Sequence, residues 1–84
     1  TLENAQALAG MVGGRAAAWD TLHVEAAMAD VVIVATGSEV PVITADALMR
    51  AREACAASGY ACLLMDLSLP RNIDPRVTNE PGVT

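Results

Sequence analysis

Two short stretches carry the residues with chemistry to offer. In "DVVIVATGSEVPVIT", Asp30 to Thr44, a hydrophobic run gives way to Thr36, Gly37 and Ser38. Gly37 lets the backbone approach a ligand closely, and the hydroxyls of Thr36 and Ser38 can bond a ribose or an amide. The second stretch is "DLSLPRNIDP", Asp66 to Pro75, where prolines fix the backbone path beside the first turn. Each has an ordinary reading as well. A Thr-Gly-Ser turn after a strand is more often plain loop chemistry, and the second stretch serves equally as a rigid connection. Neither assigns a function alone.

The remaining reactive side chains offer less. Cys55 and Cys62 form neither a CxxC nor a metal-ligand spacing, and two cysteines make no disulfide framework. A reactive thiolate needs exposure and a positive neighbourhood, so both are read as packing residues in a reducing, cytoplasmic compartment. His23, the sole histidine, has no carboxylate–cysteine arrangement near it in sequence and is read as a helix-surface residue. Met11, Met28, Met49 and Met65 are dispersed and read as core filler. We expect no catalytic residue and no metal ligand in this chain.

Composition narrows the classes further. The chain has 84 residues, is 54% hydrophobic, and carries a net charge of −5. A domain this small buries only roughly 60–65% of its unfolded surface. Much of the apolar content is Ala, which adds little area, so stability should be marginal unless something packs against it. The five arginines (Arg15, Arg50, Arg52, Arg71 and Arg76) are scattered. With an acidic balance this argues against direct nucleic-acid contact, which needs clustered cations. No apolar run approaches the roughly 20 residues that cross a bilayer. The chain opens on Thr1 with no basic-then-apolar leader, so we expect a fragment without a signal peptide.

The elements that must position the two turns follow from periodicity. "TLENAQALAGMVGG" reads as a helix with Thr1 as N-cap; its stripe is Leu2, Ala5, Leu8 or Ala9, and Val12, with Gly13-Gly14 as the stop. A brief strand is expected from Ala16 to Trp19, then a short helix capped by Asp20 or Thr21. "DVVIVA" and "YACLLMDL" read as strands buried on both faces, as in a parallel sheet. Between them "TADALMRAREACAASG" reads as a helix capped by Thr44 and stopped by Gly59. The tail is a proline-punctuated loop, with Gly82-Val83-Thr84 opening a further strand. Alternating helices and strands imply an α/β fold with a parallel sheet, and ligands in such sheets lie beyond the strands' carboxyl ends.

Taken together, the two stretches resemble the NADP-binding domain of glutamyl-tRNA reductases. That family has a strand of the type ADVVIxxTGSxxPxI before a helix, and its next strand ends in DLAxPRDIxP. Asp30, Val31, Val32, Ile33, Thr36, Gly37, Ser38, Pro41 and Ile43 match the first pattern. Asp66, Leu67, Pro70, Arg71, Ile73, Asp74 and Pro75 match the second. "EPGVT" resembles the segment before the family's next strand, and the opening helix looks like the one that follows its Asn-Arg-Thr, Thr1 being the Thr. The departures are Ser68 where Ala is usual and Asn72 where Asp is usual, and neither is expected to touch the turns.

The resemblance implies an oxidoreductase of tetrapyrrole (porphyrin) biosynthesis. Such enzymes reduce glutamyl-tRNA to glutamate-1-semialdehyde: a cysteine thiolate attacks the ester, and hydride from NADPH reduces the thioester. The cysteine belongs to an N-terminal catalytic domain and a C-terminal helical region dimerises; both lie outside this chain, as do the contacts to glutamyl-tRNA. The chain itself, residues 1–84, corresponds to the C-terminal portion of a Rossmann-like NADP-binding domain, lacking the first strand, the Gly-rich loop and most of the second strand. The cofactor-binding residues this implies are Thr36, Gly37, Ser38 and Pro70 near the nicotinamide, and Thr1, which would cap its helix at the 2′-phosphate without supplying charge.

What the sequence lacks shapes the remaining expectations. The Gly-rich turn that holds a pyrophosphate precedes a helix, whereas "GMVGG" follows one and reads as a helix stop. We therefore expect the 84-residue chain to be inactive alone and to bind NADPH poorly. In the Rossmann strand order the strands at 16–19 and 31–35 are not neighbours, so the latter should pair only with 63–67 and leave an apolar edge exposed. Residues 1–19 should be loosely held. Two alternatives stay open: an NADP-dependent dehydrogenase of the shikimate dehydrogenase type, and a non-catalytic remnant acting as a binding or assembly module.

Overall fold

Five β-branched and aliphatic residues in a row, held between Asp30 and Thr36, set the centre of the molecule. In the computed structural model, which describes residues 2–57 and 59–84, Val31–Val34 form strand β1. It pairs in parallel with β2, Leu63–Asp66, in the register Val31↔Leu63 through Val34↔Asp66. Parallel neighbours need a crossover. Helix α3, Ala45–Ala54, supplies it and packs on α2, Leu22–Ala27. On the far side of β2, Cys62 bridges Val83 in parallel; Leu64 N–H donates to the Thr84 carbonyl at 2.9 Å and Thr84 N–H to that of Cys62 at 2.9 Å. Of the further strand expected at Gly82-Val83-Thr84, only this isolated bridge is formed. Among the described residues β1 has no second neighbour.

The core lies on one side of this ribbon. Val34, Ile43, Leu48, Cys62, Ile73, Val77 and Val83 are buried together with Ala26, and Val32 and Leu64 pack against them. The other side is bare. Val31 is 52% exposed, Ile33 61%, Leu63 44% and Met65 41%. The expectation that both strands are covered on both faces is thus corrected. Alternate side chains point to opposite faces, and helices α2 and α3 serve only one of them. The methionine expectation falls with it: all four methionines are exposed, so none fills the core.

The expected strand at Ala16–Trp19 does not form. Residues 14–18 are irregular, and Trp19–Thr21 close a single 3₁₀ turn. An extended segment needs a ladder partner for its peptide groups, and among the described residues none pairs with it. α1, Leu2–Val12, ends at Gly13 in the left-handed region (φ 74°), as expected, yet buries none of its residues. Its stripe of Leu2, Leu8 and Val12 stays open.

Two capping expectations also change. The Thr21 hydroxyl turns back to the Ala18 carbonyl at 2.7 Å instead of capping α2, and the Asp20 side chain makes no cap in its place. At α3, Thr44 occupies the N-cap position without a side-chain bond, and its own N–H is taken by His23 Nε2 at 3.1 Å. His23 is therefore half-buried and holds the start of α3, where a free surface residue was expected. The helix closes at Ala54, well before Gly59, with Ala56 in the left-handed region (φ 54°).

Beyond it, the buried Arg52 guanidinium reaches back from α3. It donates to the carbonyls of Tyr60 at 2.6 Å and Pro81 at 3.0 Å, with the Glu80 carboxylate 3.8 Å away. This fastens the segment around the Val83 bridge to α3. Gly82 (φ 86°) fits there because any Cβ would run into the Tyr60 carbonyl.

Candidate functional site

Both strands end at the same place. β1 runs into Thr36-Gly37-Ser38 and β2 into Ser68–Asn72, and the two turns are joined by polar bonds. Thr36 N–H donates to the Ser68 hydroxyl at 2.9 Å. The Thr36 hydroxyl donates to Asn72 Oδ1. Asn72 Nδ2 donates to the Ser38 carbonyl at 2.7 Å and to that of Val40 at 3.2 Å. The backbone carbonyl of Asn72 accepts from Val42 at 2.7 Å and Ile43 at 3.0 Å, beside a parallel bridge between Ile43 and Ile73. Asn72 is completely buried.

Asp66, the last residue of β2, organises the second turn. Its carboxylate accepts from the backbone N–H of Ser68 at 2.9 Å, Asn72 at 2.7 Å and Ile73 at 2.8 Å. Partial burial pushes its pKa up, but these three donors outweigh that and hold it below the ordinary aspartate value. The Leu69–Pro70 peptide between them is cis. Asp74 then caps a 3₁₀ turn, Pro75–Asn79, by accepting from Arg76 N–H at 3.0 Å. The Arg76 side chain and N–H hold the Asp74 carboxyl below its usual range.

Of the five residues expected to meet a cofactor, four stand in these turns. Thr36, Gly37 and Ser38 form the first; Pro70 lies exposed in the second, between Ser68 and Asn72. Thr1 lies outside the described residues, and so does its N-cap role. The hydroxyls are not idle. Thr36 Oγ1 accepts Ser38 N–H at 3.1 Å while donating to Asn72, and the Ser38 hydroxyl donates to the Val40 carbonyl at 2.8 Å. Gly37 between them is exposed, with nothing near the place of a Cβ.

The expectation that Ser68 and Asn72 leave the turns untouched is corrected, because these two side chains are the ones that join them. The available signal was their departure from the resembling pattern, a hydroxyl at Ser68 and an amide at Asn72. Elsewhere, a groove of about 610 Å³ lies between α1 and the open sheet face, lined by Leu8, Val12, Trp19, Leu22 and Ile33, away from the turns. Cys62 is buried and Cys55 half-buried at the end of α3. Among the described residues no three His, Cys, Asp or Glu side chains gather where they could hold a metal. No helix among them is long and apolar enough to cross a membrane.

Comparison with known proteins supplies the context. The whole chain, residues 1–84, matches the family described as shikimate / quinate 5-dehydrogenase. It is 37% identical over 83 residues to a glutamyl-tRNA reductase of Rhodopirellula baltica, covering 99% of this chain and 19% of that protein. A glutamyl-tRNA reductase of Myxococcus xanthus is 42% identical over 80 residues, covering 92% of the chain and 17% of the relative. The solved structure of the glutamyl-tRNA reductase from Methanopyrus kandleri superposes with a TM-score of 0.81 at 35% identity, over 99% of this chain and 21% of that one. The chain spans about a fifth of the length of the relatives it matches.

Proposed function

Because the chain belongs to the shikimate / quinate 5-dehydrogenase family, we propose that its two joined turns seat the nicotinamide end of NADPH in a glutamyl-tRNA reductase. Residues 1–84 would then be the C-terminal portion of that enzyme's Rossmann-like NADP-binding domain. The observation that carries the reading is the docking of the Thr36–Ser38 turn on the Ser68–Asn72 turn, at the carboxyl ends of two adjacent parallel strands. Ligands of open parallel sheets lie at that end. The relatives quoted above all carry the glutamyl-tRNA reductase name, which supports this assignment over the shikimate-dehydrogenase alternative.

When bound, NADPH supplies the hydride that reduces the glutamyl thioester to glutamate-1-semialdehyde. This chain's part is placement. Thr36, Gly37, Ser38 and Pro70 would line the nicotinamide side, and Thr1, from the resemblance alone, would serve the 2′-phosphate. The cysteine nucleophile, the glutamyl-tRNA contacts and the homodimer contacts belong to the rest of a cytoplasmic enzyme. The test is to assay the intact protein with glutamyl-tRNA and each nicotinamide cofactor. NADPH-dependent formation of the semialdehyde is expected; oxidation of shikimate with no reduction of glutamyl-tRNA would transfer the chain to the alternative. The 84-residue chain alone should show no turnover and no saturable NADPH binding.

A further inference from the structure

We propose that Asn72 is a positioning residue for the cofactor turn, committing the Thr36 hydroxyl and the Ser38 carbonyl internally so that the ligand meets the peptide groups of Gly37. The inference rests on the NADPH reading above and says how that site works. A hydroxyl has a single proton to donate. That of Thr36 goes to Asn72 Oδ1, and that of Ser38 to the Val40 carbonyl. Neither can donate to a ligand without breaking a bond of the turn. Gly37 is different: it is exposed, its N–H meets no acceptor among the described residues, and the space where a Cβ would stand is empty. A glycine without a left-handed φ and without a crowded Cβ has no internal reason to be glycine. Free approach from outside is such a reason.

Asn72 suits this task because its amide both donates and accepts. One buried side chain holds Thr36, Ser38 and Val40 at once. A carboxylate, as in the Asp usual in the resembling pattern, could accept from Thr36 but could not donate to the carbonyls of Ser38 and Val40. Ser68 adds a bond that Ala could not make, to Thr36 N–H. The turn of this chain is thereby held at three residues from one side chain.

The test uses the intact protein, with NADPH as the varied ligand. The set is wild type, Asn72→Ala, Thr36→Val, the two combined, and Gly37→Ala. Each single change should raise the KM for NADPH about tenfold, the scale of one lost hydrogen-bonded position, with kcat much less affected. The combined variant should lose less than the sum of the two single losses, since both remove the Thr36–Asn72 bond. Gly37→Ala should raise KM with an unchanged melting temperature, because its methyl meets nothing inside the fold. Fully additive losses at Asn72 and Thr36 would mean that their shared bond does not position the turn, and would overturn the proposal. So would an unchanged KM in Gly37→Ala, which decides the matter even if the buried variants fail to fold. A wild type that does not saturate with NADPH removes the underlying reading itself, and is told apart by needing no variant.

Discussion

His23 shows how much a single side chain can govern here. Its Nε2 accepts Thr44 N–H at the start of α3, which it can do only as neutral imidazole. Burial lowers its pKa below the ordinary histidine value. The unfolded chain therefore takes up the proton first as pH falls. Stability is full above the ordinary histidine value and is lost as pH drops from there through the lowered folded value. A proton on His23 would also set a positive charge at a helix N-terminus, against the dipole. Thermal melts across this window should show a falling Tm in wild type and a flat one in His23→Gln, whose amide oxygen accepts without titrating. A flat wild-type profile would remove the cap from the account. The same scale holds the residues sequence could not read. Ser68 and Asn72 look like neutral replacements in a linear pattern, because their partners, Thr36 and Ser38, stand a helix and a strand away.

At the scale of elements, legibility followed local composition. β1 and β2 were plain in sequence because β-branched and aliphatic runs have few other uses. The expected strand at 16–19 failed because pairing, unlike periodicity, depends on which neighbour is present. Arg52 was passed over for a related reason. Nothing local marks an arginine on α3 as facing inward, and the carbonyls it serves come from Tyr60 and Pro81. Its guanidinium ties α3 to the segment around the Val83 bridge, so Arg52→Met should cost about 3 kcal/mol by leaving the carbonyls of Tyr60 and Pro81 without their charged donor. Chemical denaturation would measure it. A loss under about 1 kcal/mol would mean the latch is ornamental and apolar packing of Val83 suffices.

For the molecule as a whole, the bare face of the sheet is the dominant feature. Val31, Ile33, Leu63 and Met65 form an apolar surface next to an unpaired edge of β1. Such a surface drives association. Light scattering on the 84-residue chain should report self-association that grows with concentration. Ile33→Lys should suppress it while changing unfolding free energy by no more than about 0.5 kcal/mol, as for a surface site. A strictly monomeric wild type would show that α1 folds over the face in solution. The groove beside α1 and the seam between the two turns also differ in what holds them. Apolar contacts lose strength on cooling, whereas the bonds of Asn72 and Asp66 do not depend on displaced water in that way. Chilled, the chain should therefore let go of its amino-terminal helix first, and the ligand seat would be the last part to soften.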